Sequence, residues 1–257
     1  MLVPSSSSLL IFGKMVHFIL ILSVVLGVVL GGFFGKNEKL AKQLLIISAG
    51  FLITICLNEV FPLVYGEHFR SEEAHFHGEG AHSSIGLFVV AGVILQMFLE
   101  SITKGFEHGH IHHHNEEEGR AILPSALVVG LFIHAFIEGI PLAGDKVSMA
   151  YLLGIAVHNL PISFVLGAFL FSKKWTLPSV LVVLLFALAS PAGVVLGKYF
   201  NPNWQPYFLA LVGGIFIHIS SVIIFESNKN HRMDWAKIVL VTLGVALAYL
   251  THLAHSH

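Results

Sequence analysis

The sequence predicts an all-α membrane protein with eight transmembrane helices. Three observations carry that reading. First, 55% of the 257 residues are hydrophobic and only 11% are charged, whereas soluble domains carry about 25% charged residues. Second, the chain divides into eight apolar runs close to the ~20 residues a helix needs to cross a bilayer. Third, the lysines and arginines fall unevenly on the two sides that these runs define.

The same arithmetic excludes several classes. Net charge is −1 and no basic face exists, so a nucleic-acid binder is ruled out. A single cysteine, Cys56, rules out a disulfide scaffold, a zinc finger and a thioredoxin-type motif. The 17 histidines outnumber the 14 lysines and arginines combined.

The first run covers residues 15–34. Lys14 precedes it, as in a secretory signal, but the run is longer than a signal core and no A-x-A-like site follows, so it reads as a true span. The second, residues 43–65, carries Asn58, Glu59 and Pro62. The third, 85–102, carries Gln96 and Glu100. The fourth, 122–143, holds His134, Glu138 and Pro141, and the fifth, 148–171, holds His158, Asn159 and Pro161. The sixth is 177–197. The seventh, 206–225, holds His218 and Ser221 with Glu226 at its end, and the eighth is 236–254. Backbone polar groups in lipid must pair within their own segment, which makes each run a helix. Linkers such as Gly35-Lys36-Asn37 and Asn201-Pro202-Asn203 are short and rich in turn residues. Nothing is left over for a soluble domain, so residues 1–257 are expected to form a single polytopic domain.

Eight spans put both termini on one side. Ten of the 14 basic residues then lie on the other: Lys36, Lys39, Lys42, Lys104, Arg120, Lys173, Lys174, Lys229, Arg232 and Lys237. The positive-inside rule makes that side cytoplasmic and places both termini outside. Two connecting loops, 66–84 outside and 103–121 in the cytoplasm, have no apolar periodicity and are expected to be flexible. The first carries His68, His75, His77 and His82. The second carries His108, His110, His112, His113 and His114, five histidines in seven residues. Neutral imidazole suits zinc, copper, nickel and iron, and tracts of this composition point to metal binding.

An ionisable side chain inside a span is costly and marks function by default. His134 and Glu138 are four apart, so they share a helix face one turn apart. His158 lies at a similar depth in the next span. The connection between the two spans is short, so they are expected to pack as an antiparallel pair on which His134, Glu138 and His158 converge. Pro141 and Pro161 cannot donate to the carbonyls of Ile137 and Val157. In lipid such an open carbonyl is tolerated where a helix lines a cavity or an ion site. A plain His–Glu hydrogen bond between helices would account for one pair, but not for two histidines, an acid and two prolines at matching depth. Gly130, Gly154 and Gly214 each precede a histidine by four residues. Gly27, Gly31, Gly35, Gly193 and Gly197 read as small-residue packing positions.

With these residues in place, the chain resembles the ZIP (Zrt-/Irt-like) family of divalent metal transporters. That family has eight transmembrane helices, both ends outside and a His-rich cytoplasmic loop after the third. Its His-x-x-x-Glu/Asp-Gly motif matches His134 to Gly139, and its polar-polar-x-Pro motif matches His158-Asn159-Leu160-Pro161. The resemblance implies a bundle of two inverted three-helix repeats around the fourth and fifth helices. It also implies transport into the cytoplasm across the cell (plasma or inner) membrane, and a metal site of His134, Glu138, His158 and Asn159. Zinc is the implied cargo, with iron, manganese and cobalt open because imidazole and carboxylate suit them as well. No catalytic cofactor is implied, and a homodimer stays open. The chain departs from the family where Ala135 replaces a common Asn, Ile162 a common acid after the fifth-helix proline, and Ser190 an acid before Pro191. His218 is an extra, and Ile223 and Phe225 stand where many members have a His and a Pro-Glu ending. The residues of a second metal site are thus missing. The competing reading is a membrane-embedded zinc-dependent hydrolase, against which the chain has no His-Glu-x-x-His. An efflux carrier would share the ligand types but not this placement of motifs.

Overall fold

The computed structural model describes residues 6–35, 37–72, 79–103, 125–144, 148–171, 176–226 and 235–255, and all regular structure among them is helical. In chain order the helices are α1 (Ser6–Phe34), α2 (Glu38–Ile55), α3 (Phe61–Glu72), α4 (Glu79–Thr103), α5 (Ser125–Gly139), α6 (Met149–Leu170), α7 (Leu177–Gly197), α8 (Gln205–Glu226) and α9 (Trp235–His255). Among the described residues seven helices are long and apolar enough to cross a membrane, and Val128–Ala143 is a shorter apolar helix in the place of the expected fourth span. The His-rich tract with His108, His110, His112, His113 and His114, expected in the cytoplasm, lies outside the described residues, as do His75 and His77. The flanks of the other loop are helical: α3 runs on to Glu72 and α4 starts at Glu79.

Local chemistry sets the helix ends. Asn37 caps α2 by accepting from the Leu40 amide, Ser148 caps α6 through Tyr151, and Thr176 caps α7 through Ser179. The α-helical turns of α5 stop at Gly139, and a 3-10 turn, Ile140–Ala143, carries Pro141 to Gly144. Between α2 and α3 lies a π-turn, Cys56–Val60, with Pro62 two residues beyond its end. The ring of Pro62 would crowd the Asn58 carbonyl and cannot donate to it. A wider turn accommodates that mismatch without ending the span.

The polarity of the bundle is inverted relative to a soluble core. Phe33, Leu87 and Val239 are 79%, 66% and 64% exposed, while Gln96, His134, Glu138 and His158 are fully buried. Hydrocarbon is as good a solvent for leucine as another helix is, so inner faces are chosen for close approach and polar pairing. Four helix pairs dominate the packing: α1 with α6, α2 with α9, α4 with α8, and α5 with α7. Small residues mediate each. Along α1, Gly27, Gly31 and Gly35 face Leu160, Phe164 and Ala168 of α6 in ascending order, so these two helices run parallel. Gly50 and Gly244 serve α2 and α9, Gly92 and Gly214 serve α4 and α8, and Gly139 and Gly193 serve α5 and α7. The five glycines read as packing positions from the sequence all sit at such contacts. Of the three glycines preceding histidines, Gly214 alone lies so close to a neighbouring backbone, at Val89, that a Cβ would clash with it.

One expectation is corrected. The fourth and fifth spans, α5 and α6, do not form a helix pair; α5 packs chiefly on α7, and α6 on α1 and α2. Their small-residue faces are engaged elsewhere: Gly139 against Ser190, and the Leu160–Ala168 stretch against the glycines of α1. A short connection fixes where two helices begin and end, whereas complementary faces decide what they touch.

Candidate metal site

The site is built on the inward faces of α5 and α6. The helical period stacks Glu138 one turn beyond His134, and His134 Nε2 lies 3.0 Å from Glu138 Oε1. His158 arrives from α6, the most buried of the membrane-capable helices, with Nε2 3.9 Å from the same carboxylate oxygen. The two imidazoles meet edge to face, ring centroids 5.7 Å apart. One ligand atom from each of His134, Glu138 and His158 lies within 4.8 Å of the others, the single such group of three or more His, Cys, Asp or Glu among the described residues. The expected convergence is therefore present, although the helices carrying it are not a packed pair.

Burial makes the arrangement expensive without a cation. All three side chains are fully buried, and neither Glu138 oxygen receives a well-formed hydrogen bond among the described residues. An uncompensated carboxylate in an apolar interior costs several kcal/mol. Asn159, the next residue after His158, is 1% exposed, and its side-chain oxygen and nitrogen also have no hydrogen-bond partner among the described residues. Two imidazole nitrogens and a carboxylate oxygen are the donors that zinc and its first-row neighbours take.

Supporting contacts come from residues the sequence did not assign to the site. Gln96 of α4 reaches His134, with Oε1 3.1 Å from Nδ1. The Tyr151 hydroxyl donates to the backbone carbonyl of Glu138 at 2.9 Å, and the Ser163 hydroxyl donates to that of Asn159 at 2.6 Å. Gln96 had a signal, as an uncharged polar residue in mid-span; Tyr151 in an apolar run had none. Ile162 and Ser190, the positions at which the sequence lacks an expected second set of acids, are buried at 1% and 2% exposure and bring no carboxylate.

The other intramembrane acids are paired away from this cluster. Glu100 Oε2 is 2.7 Å from His218 Nε2, joining α4 to α8. Glu59 Oε1, in the π-turn, is 2.5 Å from His252 Nδ1, joining the second span to α9. His252 was not singled out from the sequence because it lies near the end of the last apolar run.

Residues 105–252 match the model of one protein family, described as ZIP Zinc transporter, and this is more than half of the chain. Comparison with curated proteins gives no match.

Proposed function

From the premise that this chain belongs to the ZIP zinc transporter family, and is therefore a multi-pass membrane protein that moves divalent metal, we propose that it carries zinc into the cytoplasm through one mid-membrane site. The ligands are His134, Glu138 and His158, with Asn159 beside them. The observation that carries this reading is the fully buried cluster itself, three ligand atoms within 4.8 Å. A carboxylate buried between two imidazoles in that setting is tolerated when a cation completes the group. Iron, manganese and cobalt fit the same donors and are the competitors to test against zinc.

The architecture proposed is eight spans in two inverted three-helix repeats around α5 and α6, both termini outside, in the cell membrane. The packing supports it. An operation that exchanges spans one, two and three with six, seven and eight, and span four with span five, turns the α1–α6 pair into α7–α5. It also turns α2–α9 into α8–α4. The acid–imidazole pairs obey the same exchange: Glu59–His252 joins spans two and eight, and His218–Glu100 joins spans seven and three. Inverted repeats with a midplane site are a recurring transporter solution. Orientation rests on the ten-to-four bias of basic residues. The His-rich loops, whose histidines number five in residues 108–114, serve capture and delivery at the two faces.

The hydrolase alternative has no observation in its favour, and the chain's family transports metal. Purified protein in liposomes, assayed for entry of a panel of divalent cations with an internal fluorescent chelator, tests the proposal. Zinc entry above that of protein-free vesicles is expected. Failure of every cation to enter, from protein that is inserted and folded, would overturn it.

A further inference from the structure

The contact between Gln96 and His134 joins helices of two different packing groups. Gln96 sits on α4, which packs on α8, while His134 sits on α5, which packs on α7. Both side chains are fully buried. Gln96 Oε1 faces His134 Nδ1 at 3.1 Å, and Nε2 on the far edge of the ring faces Glu138 at 3.0 Å. A neutral imidazole carries one proton, on one nitrogen, and offers a lone pair on the other. An amide oxygen accepts and cannot donate, so the Gln96 contact favours the proton on Nδ1; with a cation seated between Nε2 and Glu138, the ring is neutral and its lone pair lies on Nε2. That is the nitrogen which points at Glu138 and His158.

We propose that Gln96 is a positioning residue for metal binding: its amide oxygen fixes the Nδ1–H tautomer and the ring angle of His134, and thereby aims Nε2 at the cation. The inference rests on the reading of His134, Glu138 and His158 as the ligand set. Ligating histidines commonly donate their other N–H to a carbonyl or carboxylate, and loss of that acceptor costs about 10–100-fold in metal affinity. A neutral amide does this without adding a second negative charge beside Glu138. The arrangement also accounts for a fully buried glutamine in mid-span.

The test is zinc uptake by the full-length protein in liposomes, as apparent KM and maximal rate, with thermal melting of each variant. Gln96→Leu removes the acceptor at similar size and should raise KM for zinc by about 10–100-fold, with a smaller change in maximal rate. Gln96→Ala, which adds no bulk, should do the same. Gln96→Glu restores an acceptor and should bring KM back to within about threefold of wild type. A merely structural glutamine would instead lower melting temperature and maximal rate without this split, and a buried glutamate would not rescue it. Wild-type KM in Gln96→Leu or Gln96→Ala, or a KM in Gln96→Glu as high as in Gln96→Leu, overturns the inference. His134→Ala separates the two levels: unchanged KM there overturns the ligand assignment itself, whereas its loss alongside an unaffected Gln96→Leu overturns the positioning role alone.

Discussion

Glu138 and His158 face each other at 3.9 Å between Oε1 and Nε2, although the helices that carry them pack chiefly on other helices. Each helix is held by its own small-residue partner, and the space between them is bridged by polar side chains.

Replacing any one of the three ligands should stop transport. His134→Ala, Glu138→Ala and His158→Ala each remove one of three donors from a site with no fourth protein carboxylate or imidazole among the described residues. Each should cut initial zinc uptake at least about tenfold, since even lesser changes around a metal site cost 10–100-fold. Surface labelling should show normal insertion. Wild-type flux in all three would reject the site.

One cation, not two, should occupy the space between α5 and α6. Ile162 and Ser190 are buried and supply no negative charge, so a second divalent ion would be uncompensated in an apolar interior. Anomalous diffraction from zinc-soaked crystals should show one peak near Glu138. A second peak about 3–4 Å from it, the spacing of two-metal centres, would contradict this.

Uptake at low zinc should fall as external pH drops. Metal binds the neutral ring, so protons and metal compete for the two imidazoles of the ligand set; an ordinary imidazole titrates near about 6.5. The sign is therefore a rising KM toward acid, with saturating zinc restoring the rate. Initial rates at pH 5.5, 6.5 and 7.5, at low and saturating zinc, decide it. Faster uptake at pH 5.5 under both conditions would point to proton-driven symport.

The glycine contacts should be intolerant of even one methyl group. A Cβ at Gly193 would stand 2.0 Å from the Phe136 carbonyl oxygen, and one at Gly31 2.0 Å from that of Phe164. Backbone cannot step aside as a side-chain tip can, so Gly193→Ala or Gly31→Ala should cost about 1–3 kcal/mol through overpacking. Gly13→Ala, with nothing within 4 Å, is the control and should melt as wild type does. Equal melting temperatures across all three would show that the helix pairs are looser than described.

The parts of this molecule that the sequence revealed are those fixed by short-range geometry. Helical periodicity alone stacks Glu138 on His134, and equal depth in neighbouring spans brings His158 level with them. The cost of burying charge in hydrocarbon singled out Glu59 and Glu100 as well. What stayed hidden depends on which helices meet. Gly193 and Gly197 announce a small face but not its partner, and the fourth and fifth spans, expected to pair, pack on other helices. Gln96 and His134 are 38 residues apart, and Glu59 and His252 are 193 apart. No local pattern encodes such contacts, which arise only once the four helix pairs are assembled.

Because α5 and α6 belong to different helix pairs and converge at His134, Glu138 and His158, a cation held there under the proposed function would also be a removable rivet. A ligand that binds only the folded state stabilises it by RT ln(1 + [L]/Kd), about 2.7 kcal/mol at a hundredfold excess over Kd. The cargo thus contributes to the cohesion of its carrier, and a cell starved of metal would hold a softer protein. Chelation should lower the melting temperature and expose the α5–α6 seam to hydrogen exchange ahead of the glycine-packed pairs.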